Sequence, residues 1–140
     1  MNRPHEIAQL LVACWALGTR ESKIPTSHGL LDKALERARD QGAFPPWVRD
    51  NLHFVHSRIG LQCVELPLIL DWAQSAELTS VPNPSYSYTE LRVSSDVARI
   101  LLKRLGISES DATAWGKMLK DSADEVKADV DAQALALAAV

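Results

Sequence analysis

His53 and His56 lie three residues apart, with Cys63 seven further on, and these are residue types that hold zinc. Two ligands at that spacing would project from one side of a helix. A closed site needs three or four such groups, however, and no matching pair follows at metal-site spacing. Both histidines therefore read as flank residues beside Leu52 and Val55, with no metal bound. Nucleophilic chemistry meets a similar obstacle. Cys14 sits within an apolar stripe, where burial raises a thiol pKa, and Cys63 has no basic neighbour in sequence to make it a thiolate. The carboxylates Asp71 and Glu77, or Asp121, Asp124 and Glu125, have no desolvated partner suited to acid–base work. The six glycines are dispersed as helix ends, so no phosphate-cradling loop forms. The reading is of a chain without catalytic residues and without a cofactor.

Recognition by contact is the chemistry that remains. Trp47 follows Pro45 and Pro46 directly, and Tyr86 and Tyr88 flank a turn. Such positions leave one aromatic face open, and aromatic side chains there anchor partner surfaces. The cations that could meet a nucleic acid are Arg37, Arg39, Arg49 and Arg58. Residues 1–60 carry eight Lys/Arg against six Asp/Glu, and residues 61–140 carry seven against twelve, so the halves differ by seven charges, from +2 to −5.

The elements that must position these residues follow from periodicity and end signals. A chain of 140 residues with 46% hydrophobic and 24% charged residues has the composition of an ordinary globular domain, able to bury a core without staples. No apolar run approaches the ~18 residues of a membrane span, and no secretory pattern opens the chain, so a cytoplasmic location with two reduced cysteines is expected. Ile7, Leu10, Leu11, Cys14 and Leu17 predict a first helix, ended by Gly18. Leu30, Leu31, Ala34, Leu35 and Ala38 predict a second, closed by Gly42. The corner Phe44-Pro45-Pro46 leads to a third, with Val48, Leu52, Val55 and Ile59 on its stripe and Gly60 past its end. Pro67 opens a fourth over residues 66–77, presenting Leu66, Ile69, Leu70, Trp72 and Ala73.

Residues 78–93 then read as a β-hairpin turning at Pro82-Asn83-Pro84-Ser85, with Tyr86, Tyr88 and Glu90 on one face and Leu91 and Val93 toward the core. A fifth helix carries Val97, Ile100, Leu101, Leu102 and Leu105 and stops at Gly106. Ser108 caps a sixth with Ala112, Trp115, Met118 and Leu119. Leu105-Gly106-Ile107-Ser108 also has the look of a helix-turn-helix corner, but a glycine stop followed by a serine cap explains it more simply.

The block Leu68-Ile69-Leu70-Asp71-Trp72, Glu77-Leu78, Val81-Pro82-Asn83-Pro84, Leu91-Arg92-Val93-Ser94 and Ile100-Leu101-Leu102 resembles the recognition helix, wing and following helix of MarR-type regulators. The resemblance spans about forty residues, 66–105, and rests on spacing and apolar positions. It implies a winged-helix fold and a DNA-binding regulator. The basic side chains that the family uses are missing, because residues 66–77 and the turn at 82–85 contain no Lys or Arg.

The expected fold is thus mainly α with one β-hairpin, a winged-helix-like helical domain over residues 1–120, followed at 121–140 by a C-terminal helix or frayed tail. The expected function is a non-catalytic module acting on a protein partner and forming a homodimer through apolar terminal helices, without membrane contact. A MarR-like DNA-binding regulator is the alternative.

Overall fold

The computed structural model describes residues 3–26, 29–58, 60–80 and 88–138. Ten elements run in the order α1 (Arg3–Thr19), β1 (Lys23–Pro25), α2 (Leu30–Asp40), α3 (Pro46–Arg49), β2 (Phe54–Ser57), β3 (Gly60–Cys63), α4 (Leu66–Ser75), β4 (Tyr88–Glu90), α5 (Ser95–Leu105) and α6 (Glu109–Ala138). The protein is mainly helical, and its strands form two small antiparallel pairs, β1 with β4 and β2 with β3.

Helix α1 is the centre of the packing because α4, α5 and α6 all rest on it. Its buried residues, Ile7, Ala8, Leu10, Val12, Ala13, Cys14, Trp15 and Ala16, occupy more of its circumference than the single stripe expected. A helix enclosed by neighbours on several sides loses its polar face. Trp15 and Phe44 are each 1% exposed and anchor the core, their burial contributing roughly 1.5–3 kcal/mol per side chain. Phe44 packs on Trp115 with ring centroids 6.3 Å apart. It holds φ at +72°, a conformation costly for a bulky residue, which the burial of its ring offsets.

Two glycines determine how closely α1 and α6 cross. A Cβ on Gly116 would lie 1.8 Å from the Cys14 carbonyl oxygen, and one on Gly18 would lie 2.7 Å from the Gly116 Cα. The two backbones touch here, as only glycine permits. Gly18 is therefore an internal contact of α1 and not its terminator, which corrects the expectation that the glycines serve as helix ends. Gly106 does act as a stop, with φ +71° and its N–H on the Leu102 and Lys103 carbonyls. Ser108 caps α6, its hydroxyl accepting from the Asp111 N–H at 3.1 Å.

The third predicted helix is the largest correction. Pro45 and Pro46 start a helix as expected, but it lasts only through Arg49. The chain then forms the hairpin β2–β3, with Phe54 opposite Cys63 and Ser57 opposite Gly60. Leu52 is buried as expected, though from a loop, while Val55 is 46% exposed. The apolar spacing was compatible with a helix, but Phe54-Val55 and Gly60 are also strand and turn formers, and pairing with β3 decides between the two.

The expected single hairpin at 78–93 also changes form. Its second arm contributes β4, whose partner is β1, with Ile24 opposite Thr89. The first arm supplies a bridge between Thr79 and Leu91, supported by the Ser80 N–H on the Glu90 carbonyl at 2.8 Å. Val93 is buried and Leu91 packs half-buried on the core, as expected. The turn at 82–85 and Tyr86 lie outside the described residues.

Helix α6 passes through position 120 without a break and continues to Ala138. Ser122, Ala123 and Val126 are buried. Beyond them every residue from 127 to 138 is exposed.

Candidate interaction surfaces

The His53, His56 and Cys63 set does not converge. His53 precedes β2 and is held by Glu65, whose Oε1 accepts from the His53 N–H and whose Oε2 meets Nδ1, both at 2.7 Å. His56 lies within β2, so an odd spacing on an extended chain turns it to the opposite side. Cys63 is buried, its N–H donating to Asp32 Oδ2 at 2.8 Å. Among the described residues no group of three or more His, Cys, Asp or Glu is placed to share a metal ion.

Both thiols are protected. Burial pushes the Cys63 thiol up to about 11, and the wholly enclosed Cys14 thiol higher still. Neither forms a thiolate at neutral pH, so neither is a nucleophile in the folded chain.

The expected partner anchors are partly occupied within the chain. Trp47 is half-buried, with the Arg3 guanidinium 5.1 Å from its ring centroid. Tyr88 is half-buried in β4, with Lys23 Nζ 4.5 Å from its ring centroid. The four arginines do not share a face. Arg37 reaches α6, donating to Asp129 at 2.8 Å and to Glu125 at 3.4 Å. Arg39, about 200° further around the helix, stacks 4.5 Å over Phe54 and pairs with Asp40. Arg49 and Arg58 are exposed and make no ion pair among the described residues.

Among the described residues, two of the surface clefts are roomy enough to note. One of about 600 Å³ lies between the end of α1 and the start of α5, and its Arg99 is already engaged by Asp96 and Glu109. The other, about 520 Å³, is floored by Leu31, Leu61, Leu66 and Leu70 beside Asp32.

Two surfaces stand out, one on the terminal helix expected to self-associate and one that the residue pattern did not indicate as a site. The first is the distal half of α6, where Val130, Leu135 and Leu137 are 40%, 72% and 77% exposed. The seam Leu119, Ala123, Val126, Val130, Gln133 and Leu137 runs along the helix at alternating three- and four-residue steps. Its first three members are buried in the body and its last three project beyond it. The second is the β2–β3 hairpin, where Val55 and Val64 are 46% and 56% exposed. A legible signal existed for each, the alternating seam in the first and Gly60 between two β-forming runs in the second.

Comparison with known proteins returned no match: no family model, no curated protein and no solved structure is similar to this chain.

Proposed function

We propose that the chain is a non-catalytic binding module that works through protein–protein contacts and self-associates through α6. The observation that carries this reading is the exposed distal half of α6. Beyond the Arg37–Asp129 ion pair, residues 130–138 span about 14 Å of helix, all of it exposed. Its last turns are apolar on most sides and find no cover within one copy. Pairing with the α6 of a second copy supplies the missing cover, and the heptad spacing of Val130 and Leu137 suits a two-helix seam. Hydrogen exchange tests it at the residues concerned. Amide protection over 130–138 should rise as the protein is concentrated. Rapid exchange there at every concentration would remove the basis for self-association.

A second reading, the MarR-like winged-helix regulator, is favoured by one observation. Leaving aside α3 and the β2–β3 hairpin, which interrupt it between α2 and α4, the order α1, β1, α2, α4, the Thr79 arm, β4 and α5, with β4 lying between β1 and that arm, is the support for a winged-helix arrangement. Against it, α4 carries no cation and presents Asp71 to solvent, while Arg37 is neutralised by α6. A reader of DNA gains most of its affinity from cations on phosphates. Random duplex DNA should therefore bind no tighter than about 10⁻⁴ M at physiological salt. A micromolar affinity with a steep salt slope, reduced by neutralising Arg39, Arg49 or Arg58, would favour the regulator.

A further inference from the structure

The hairpin β2–β3 is a two-stranded sheet, and its hydrogen-bonding alternation can be read from one contact. The Val64 N–H donates to the His53 carbonyl at 2.8 Å, a phase that makes Val55/Gln62 and Ser57/Gly60 the hydrogen-bonded pairs. The main-chain groups of the intervening residues point away from the partner strand. On β3 that outward edge is covered, because the Cys63 N–H is taken by Asp32 of α2. On β2 the corresponding groups belong to Phe54 and His56, and they meet no partner among the described residues. An edge with free donors and acceptors is a template for another strand, which proteins ordinarily blunt.

The charge around this edge is unlike that of the rest of the chain. Between Asp50 and Glu65 there is no Asp or Glu, and the one formal charge in that stretch is Arg58, in a protein of net charge −3. Arg39, which also pairs with Asp40, lies over Phe54 at one end of the edge, and Arg58, with no ion pair among the described residues, follows Ser57 at the other. Beside the edge, Val55 and its diagonal neighbour Val64 leave an apolar strip in water.

We propose that the free edge of β2 docks an extended, acidic segment of a partner protein, which adds to the hairpin as a third strand. Main-chain bonds to Phe54 and His56 hold the segment, its carboxylates meet Arg39 and Arg58, and alternate apolar side chains cover Val55. The proposal rests on the protein-binding reading but not on self-association, since the edge belongs to a different surface from α6.

The test is a nuclear magnetic resonance titration of the full-length, isotope-labelled chain with an end-blocked seven-residue peptide alternating Glu and Val. The largest shifts and the slowed exchange should fall on the Phe54 and His56 amides. Affinity should drop at least tenfold for the same peptide N-methylated at alternate residues, and at least tenfold for its Lys–Val counterpart. Arg58→Glu, at an exposed position, should weaken binding at least fivefold while leaving the spectrum folded. Leu137→Glu, which removes the α6 seam, should leave peptide binding unchanged and so separates this proposal from the self-association. Absence of binding, equal binding of the N-methylated or Lys peptide, shifts confined to other elements, or tighter binding of a random duplex DNA at the same salt would each overturn it.

Discussion

Ser122 and Trp15 carry buried polar atoms without a partner among the described residues, Oγ and Nε1 respectively. Leaving such a group unbonded costs roughly 1–3 kcal/mol, whereas removing it costs little if the shape is kept. Ser122→Ala should therefore leave stability unchanged or raise it, read as an equal or higher urea midpoint. A drop above about 1 kcal/mol would mean that the hydroxyl is bonded after all. The thiols give a second test. Cys63, held up to about 11, has a higher pKa folded than unfolded. Its burial therefore contributes stability that is fully present below the unfolded thiol's pKa and is lost as pH rises through about 11. A disulfide reagent at pH 8 should label neither Cys14 nor Cys63 until denaturant is added. Immediate labelling of Cys63 would contradict its burial. That both cysteines are inert was legible from their apolar neighbours, but the Glu65 contact to His53 was not, because twelve residues separate them and only the hairpin brings them together.

At the scale of elements, glycine placement distinguishes the true helix crossings. Gly116→Ala would drive a methyl into the Cys14 carbonyl, 1.8 Å away, so α1 and α6 must part. The expected loss is about 3 kcal/mol in chemical denaturation, against under ~0.5 for Lys117→Ala on the exposed side. Equal midpoints would show that the helices do not touch there. Helix α5 provides the matching check on face assignment. Leu102, 1% exposed, should cost about 2–5 kcal/mol on truncation to Ala, and Ile100, 53% exposed, under ~1. Helices α1, α2, α4, α5 and α6 could be read from periodicity because each buries a stripe that local spacing records. The 46–63 region could not, since Leu52, Val55 and the glycine after them fit either a helix end or a hairpin, and the choice depends on contacts with α2 that are remote in sequence. Strand β1 escaped for a related reason. The three residues between Ser22 and Thr26 carry no pattern, and they form a strand only because Tyr88–Glu90 pairs with them.

For the whole molecule, the division between a buried and an exposed half of one helix is the feature on which the proposed function rests. The body packs around α1 and uses α6 up to Val126, with Arg37 clasping Glu125 and Asp129 at the point of exit. An exposed pair of this kind contributes at most about 1 kcal/mol, so it orients the projecting segment more than it stabilises it. What lies beyond is an apolar-rich helix whose seam continues that of the core, and under the proposed self-association a second copy covers it. Sedimentation equilibrium of the full chain over a hundredfold concentration range tests this most directly, in parallel with the double variant Val130→Asp, Leu137→Glu. The account predicts a reversible dimer for the natural chain and a folded monomer, unchanged in circular dichroism of its body, for the variant. A natural chain that stays monomeric across the range, or a variant that dimerises equally well, would contradict it.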